Sequence, residues 1–187
     1  ILGEDEILLY GKPFIEDSIL GVNFRISSKS FFQVNPIQVE KLYSKAFELA
    51  KLNKDDVVLD AYAGVGTIGM ICSKYVKHVD SVELVHSAVV NARDNAKRNN
   101  INNISLVEMD CTKYLIENEK HYDVVIMDPP RKGSSEEFLN ALKKNRPDRI
   151  VYISCEPSTL ARDLALLTDA YEVIEVQPVD MFSRSFH

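Results

Sequence analysis

The sequence predicts an α/β fold: a mostly parallel sheet with helices on both faces, preceded by a short β-hairpin segment. Three observations predict it. From residue 56 onward, the apolar runs "VVLDAY", "HVDSVEL", "ISLVEMD", "YDVVIMD", "RIVYIS" and "YEVIEV" read as strands. Helical stretches lie between them, roughly over 66–76, 87–99, 111–118, 135–144 and 158–168. Ahead of them, Leu20, Val22, Phe24 and Ile26 alternate with Gly21, Asn23 and Arg25, the two-residue period of a half-buried strand.

The elements follow in order. "ILLYGKPFIED" and "ILGVNFRISSKSFFQV" read as hairpin strands, so residues 1–34 are expected to be a β-strand remnant of a preceding or central domain. A helix is expected over "NPIQVEKLYSKAFELAKL", because Asn35 suits the N-cap and Pro36 the first helical position. Val39, Leu42, Tyr43, Ala46, Leu49 and Ala50 give that helix one apolar face. Residues 35–187 are expected to form the main domain.

Bulk composition narrows the function. The chain has 187 residues, 45% hydrophobic and 27% charged, ordinary for a globular domain with a real core. No apolar run approaches the ~20 residues of a membrane helix. The three cysteines, Cys72, Cys111 and Cys155, lack metal-ligand spacing and suit a reducing, cytoplasmic setting. A net charge of −6 is not the footprint of a protein that binds nucleic acid by charge alone. The sequence opens on Ile1 rather than Met and is read as a piece of something longer.

Ligands of such sheets bind at the C-terminal ends of the strands, so the strand ends are the places to inspect. The first ends in "DAYAGVGTIG", where Gly64, Gly66 and Gly69 form G-x-G-x-x-G and open a helix; alone this reads equally as an ordinary glycine turn. The second ends at Glu83, ~20 residues on, where a carboxylate can accept from both hydroxyls of a ribose. Together these favour an adenosine-containing cofactor, either NAD or S-adenosylmethionine. Asp60, beside the loop, tilts the choice towards a cationic, amino-acid-bearing cofactor; its alternative role is a cap for helix or loop. Asp110, ending the third strand, either meets the adenine amino group or caps the helix at Cys111, and Cys111 itself reads as packing.

The fourth strand ends in "MDPPRKG". Pro129 and Pro130 stiffen the exit beyond Asp128, and Arg131 and Lys132 supply charges suited to phosphate; the alternative is a surface turn with solvated charges. The fifth ends in "YISCEPSTLARDL", which brings Cys155 to the same sheet edge. A helix start behind it and Arg131 or Lys132 nearby would favour the thiolate, so Cys155 is a candidate nucleophile; the alternative is a small core residue.

"SFFQVNP", "DAYAGVGTIG", "DPPRKG", "SCEPSTLARDL" and "VQPVDMF", in this order, closely resemble the S-adenosylmethionine-dependent RNA 5-methyluridine methyltransferases. The resemblance covers nearly the whole chain. It implies a Rossmann-like methyltransferase fold, S-adenosyl-L-methionine as cofactor, and an RNA substrate, transfer or ribosomal. By motif it implies Cys155 as catalytic nucleophile and Gln33, Tyr62, Glu83, Asp128 and Asp110 as cofactor-binding residues; the glycine loop adds Gly64, and the residues themselves suggest no metal site. The family's proton-abstracting glutamate is expected a few residues past a histidine after "VQPVDMF", whereas this sequence closes at His187. Ser183 stands where the family usually has proline. An N-terminal RNA-binding domain, often with an iron–sulfur cluster, is also usual, so a catalytic fragment is expected. Three rival readings stay open: an NAD-dependent oxidoreductase, an amino-nitrogen methyltransferase, and a non-catalytic RNA- or protein-binding domain.

Overall fold

The computed structural model describes residues 7–28, 30–33 and 35–182. The first elements among the described residues are β1 (Phe14–Ile19) and β2 (Val22–Ser27), an antiparallel hairpin with Ile19 opposite Val22. Leu20 (φ 47°) and Gly21 (φ 71°) are both left-handed, the two-residue turn that matches strand twist. Leu20 was expected in the strand and instead makes the turn. The first apolar stretch is also shorter than expected: residues 7–13 lie outside any strand, and Gly11 (φ 85°) and Pro13 interrupt the ladder ahead of β1.

Helix α1 (Pro36–Ala50) is capped as the sequence suggests: the Asn35 side chain accepts from the Gln38 N–H at 3.2 Å. Beyond it run β3 (Val57–Ala61), α2 (Thr67–Cys72), β4 (His78–Glu83), α3 (His86–Arg98), β5 (Ile104–Glu108), α4 (Cys111–Glu117), β6 (Val124–Met127), α5 (Glu136–Asn145), β7 (Arg149–Tyr152) and α6 (Pro157–Leu167). The sheet order is β5-β4-β3-β6-β7, with every neighbouring pair parallel. From β3 the chain builds outward through β4 to β5. It then crosses back to place β6 on the other side of β3. That reversal makes the tips of β3 and β6 the topological switch point, where sheets of this kind bind ligands.

Two cores flank the sheet. Val124 and Ile126 of β6 face a cluster with α1, α2, α3 and the hairpin residues Ile19, Val22, Phe24 and Ile26. Val125 and Met127 face a cluster with Leu115 of α4, Phe138 and Leu142 of α5 and Leu167 of α6. Strict alternation along one strand therefore feeds both layers, as a sheet covered on both faces requires.

The sixth expected strand, "YEVIEV", does not form. Residues 171–180 have no regular structure, and Val173, Ile174 and Val176 are exposed. Among the described residues β7 pairs only with β6, so this segment has no ladder partner. Apolar alternation does not hold a strand that lacks a neighbour. No helix among the described residues is long and apolar enough to cross a membrane.

Candidate active site

The strand tips are brought level by backbone bonds that continue each ladder. Ala63 N–H donates to Val82 O at 3.0 Å, Met109 N–H to Glu83 O at 3.0 Å, Asp128 N–H to Ala61 O at 3.4 Å, and Ile153 N–H to Met127 O at 2.9 Å. The loops that follow therefore leave the sheet along one edge.

On β3 the glycine loop turns through Tyr62 (φ 63°), Gly64 (φ 55°) and Gly66 (φ 77°). A Cβ on Gly64 would meet nothing within 4 Å, so the loop presents bare backbone to open space. Gly64 N–H donates to one Glu83 oxygen at 2.9 Å, and Val85 N–H donates to the other at 2.8 Å. The carboxylate is thereby clasped across the tips of β3 and β4. Each oxygen keeps a second lone pair for a ligand hydroxyl.

Tyr62 is a non-glycine residue in left-handed backbone, a conformation costing ~1–2 kcal/mol. Three contacts hold it. Its N–H donates to Cys111 Sγ at 3.2 Å, its hydroxyl shares a hydrogen bond with Ser134 Oγ at 3.1 Å, and its ring packs on Phe138 at 5.4 Å. Burial pushes the Cys111 thiol up to about 12, so it stays protonated and donates to Val82 O at 3.5 Å. Cys111 packs as expected and also fastens the glycine loop.

Asp60 takes its capping alternative. It is 1% exposed, and one oxygen accepts from Gly69 N–H and from Ser81 Oγ, both at 2.9 Å. It bolts α2 to β4, and burial pushes its carboxyl up to about 7. Asp110 is the N-cap of α4, accepting from Lys113 N–H at 3.0 Å. Asp128 stands one residue beyond β6, where burial raises its carboxyl to about 6. Burial also raises the Tyr43 phenol, and the charges of Asp128 and Asp60 add to this. Gln33 is half-buried between β2 and α1, away from the strand tips in sequence.

Past Asp128, Pro129 is buried and Pro130 opens a tight turn in which Gly133 N–H donates to Pro130 O at 2.8 Å. Arg131 and Lys132 are exposed on it. Cys155 is exposed, three residues past β7 and two before the first residue of α6. Its turn is set by Ser154, whose Oγ accepts from Glu156 N–H at 3.1 Å and donates to Glu156 O at 3.1 Å. Glu156 caps α6 by accepting from Ser158 N–H, so the helix begins at Pro157, one residue earlier than expected. Tyr62, Gly64, Glu83, Asp110, Asp128 and Cys155 thus share one edge of the sheet. Ser183 and His187 lie outside the described residues.

The sequence reading passed over Ser134, Tyr152 and Asp163. Asp163 is fully buried and accepts from the Ser134 N–H and the Tyr152 hydroxyl, each at 2.7 Å. A signal was present: Asp163 falls on the stripe formed by Leu160, Leu164 and Leu167, where helical periodicity asks for an apolar side chain.

A glycine loop on one parallel strand, an acidic tip on the next, and a strand order that reverses between them and β6 define the ligand-binding class of doubly wound α/β domains. Within that class, the family model for tRNA (uracil-5-)-methyltransferase matches residues 15–187, and the chain belongs to that family. An uncharacterized RNA methyltransferase of Clostridium acetobutylicum is 50% identical over 192 residues, and one of Clostridium tetani 47% identical over 191; each comparison covers 100% of this chain and 42% of the relative. The Pyrococcus abyssi tRNA (uracil-54, C5)-methyltransferase, solved in complex with S-adenosyl-L-homocysteine, is 34% identical with a TM-score of 0.79, over 92% of this chain and 42% of that one. The precorrin-6y C5,15-methyltransferase of Geobacter metallireducens shares the fold at 21% identity and a TM-score of 0.68, over 82% of this chain and 79% of that one. The chain spans less than half the length of these curated RNA methyltransferase relatives.

Proposed function

We propose that this chain is the catalytic part of an S-adenosylmethionine-dependent enzyme that methylates carbon-5 of uracil in transfer or ribosomal RNA, through a covalent adduct on Cys155. One observation carries the reading: an exposed thiol stands on the same sheet edge as the Glu83–Gly64 clasp and the Asp128 turn. A cofactor-binding fold alone asks for no cysteine there. An NAD-dependent oxidoreductase leaves both Cys155 and "DPPRKG" without a task.

The residues present fit the cofactor. Bare backbone at Gly64 and Gly66 permits close approach, and the clasped Glu83 carboxylate suits ribose hydroxyls. Tyr62, Asp110, Asp128 and Gln33 complete the set by motif. S-adenosylmethionine, when bound, supplies an electrophilic methyl group. Asp128 would lie where a cationic ligand and the base meet.

The chemistry of the chain begins at Cys155. Its Sγ, as thiolate, forms a bond to carbon-6 of uracil, and the electron pair of the 5,6 double bond moves out to the carbonyl as an enolate. Carbon-5, now nucleophilic, accepts the methyl group. A base takes the carbon-5 proton, the 5,6 double bond reforms, and the carbon–sulfur bond breaks to return the thiolate. The target base must leave its stack to reach the sulfur. Arg131 and Lys132 are exposed beside the turn and suit RNA phosphates. With a net charge of −6, most RNA affinity belongs outside these residues.

The domain division at residue 34 and a cytoplasmic setting belong to the same proposal, with the hairpin kept attached to the catalytic unit by its share of the core. The test uses the full-length protein. It is titrated with S-adenosylhomocysteine and NADH, then incubated with S-adenosylmethionine and unmodified transfer and ribosomal RNA transcripts, which are digested to nucleosides. Binding of the sulfur cofactor and formation of 5-methyluridine are expected, with Cys155→Ala reducing product by more than ~1,000-fold. Retention of activity in Cys155→Ala, with methylated amino groups as product, would establish the amino-nitrogen alternative.

A further inference from the structure

We infer that Asp163 is a positioning residue: its buried carboxylate locks the 128–134 loop onto α6, so that the loop facing the substrate and the turn bearing Cys155 are held as one unit. The inference rests on the reading of the site given above and adds a residue that acts through others.

A buried charge persists only where its bonds are complete, and those of Asp163 are. It is 0% exposed. Oδ2 accepts from Ser134 N–H and from the Tyr152 hydroxyl, both at 2.7 Å. Oδ1 accepts from Arg162 Nε at 2.9 Å and Nη2 at 2.7 Å. Burial and the hydrogen bond to Asp163 hold the Tyr152 phenol neutral, as a donor.

The partners of this carboxylate form a row. Thr159 Oγ1 lies within donor reach of Arg131 O at 3.1 Å, sharing its hydroxyl with Glu156 O at 3.0 Å. Arg162 Nη2 donates to Lys132 O at 2.8 Å, and Ser134 N–H donates to Asp163. Three backbone groups of the loop are therefore gripped by three residues of α6. Gly133 sits between them at φ 77°, and a Cβ there would come within 2.5 Å of both Arg162 Nη2 and Asp163 Oδ2. The loop approaches the helix so closely that only glycine fits.

The row continues into the cofactor side. Ser134 Oγ bonds the Tyr62 hydroxyl, and Tyr62 N–H bonds Cys111 Sγ. At one end of the gripped segment stands Asp128; at the start of the gripping helix stands the Cys155 turn. Chemistry that joins a thiol, a base and a methyl donor depends on placement to a fraction of an ångström. An exposed loop carrying two cations has no such placement unless something behind it supplies one. RNA affinity drawn from the Arg131 and Lys132 side chains does not depend on the lock, so its loss falls on turnover.

The test is Asp163→Asn in the full-length protein, with steady-state methylation of unmodified RNA transcripts normalised to molecules that bind S-adenosylhomocysteine. The expected result is a kcat at least ~30-fold lower, with KM for RNA and the dissociation constant for S-adenosylhomocysteine within ~3-fold of wild type. A merely structural role predicts a lower melting temperature and a kcat per binding-competent molecule within ~2-fold of wild type, which would overturn the inference. Should Asp163→Asn fail to fold, Thr159→Val decides: it frees Arg131 O without touching the buried charge, and a ~3- to 10-fold loss in kcat is expected. An unchanged kcat in that variant would also overturn the inference. Wild-type protein that binds S-adenosylhomocysteine but makes no 5-methyluridine overturns the functional reading itself, a result distinct from any difference between variants.

Discussion

Asp128 stands in surroundings that disfavour its charge, and this has a measurable consequence. Burial moves its carboxyl from 3.8 to about 6. A carboxyl raised on folding contributes stability that is complete below the unfolded pKa and is lost as pH rises through the folded one. At pH 8 the ionised group therefore works against the fold, by roughly 1–3 kcal/mol. Asp128→Asn is neutral at every pH. It is expected to melt a few degrees above wild type at pH 8, to keep only about half of that advantage at pH 5, between the unfolded and folded values, and to lose methylation throughout. Thermal melts at the two pH values check this, and a variant less stable than wild type at pH 8 would show that the carboxylate is stabilised by contacts instead. Asp60, raised to about 7, has the same sign, but its bonds to Gly69 and Ser81 make asparagine a poor mimic there. Glycine spacing and the acidic residue that follows it are legible in the sequence because left-handed backbone at Gly64 and Gly66 favours glycine, and two N–H groups at the strand tips call for a carboxylate at Glu83. That Asp60 would be a buried brace for α2 is not legible, because a carboxylate beside a glycine loop suits a cap and a ligand contact equally.

Helix α2 shows how an element is fixed by one missing atom. A Cβ on Gly69 would lie 2.0 Å from Ser81 Oγ and 2.7 Å from Asp60 Oδ2. Gly69→Ala is expected to push α2 off β4 and cost ~2–4 kcal/mol, read as a drop of about 5–15 °C in melting temperature. A drop below 2 °C would mean that the helix shifts freely. The third glycine of the loop is thus explained by helix–strand packing rather than by a ligand. The central strands β3 and β6 were legible because both faces of each are buried and their runs are apolar at every position but Asp60. "YEVIEV" has the same local character and stays irregular, since pairing is decided by a neighbour that periodicity cannot supply. Asp163 was missed for a related reason: a charge on an apolar stripe reads as noise until its partners, 11 and 29 residues away, are in place.

Across the whole molecule, the hairpin is joined to the sheet domain by side chains that imitate a strand. Asn95 accepts from Arg25 N–H at 2.7 Å and donates to Arg25 O at 2.9 Å; Asn99 accepts from Asn23 N–H at 2.9 Å and donates to Asn23 O at 2.7 Å. Asn95 of α3 and Asn99, its C-cap, thus pair the outer backbone of β2. Asn95 is fully buried, so Asn95→Ala strands two backbone groups and is expected to cost ~2–3 kcal/mol in chemical denaturation. The Asn99 bonds to Asn23 are exposed, and Asn99→Ala should cost under ~1 kcal/mol. Losses under ~0.5 kcal/mol in both variants would show that the hairpin is held by its apolar face alone. The hairpin's existence was readable from its period of two; its attachment was not, because asparagines on a helix ordinarily look like a solvated face.

The central claim is a covalent bond between Cys155 and a uracil. The most direct measurement incubates the full-length protein with S-adenosylmethionine and transfer or ribosomal RNA transcripts bearing 5-fluorouridine, whose carbon–fluorine bond blocks the final elimination. The trapped complex is digested with protease and nuclease and sequenced by mass spectrometry. A methylated fluorouridine nucleotide attached to the Cys155 peptide is the expected result. Efficient methylation of ordinary RNA with no adduct, or an adduct carried by another residue, would contradict the mechanism.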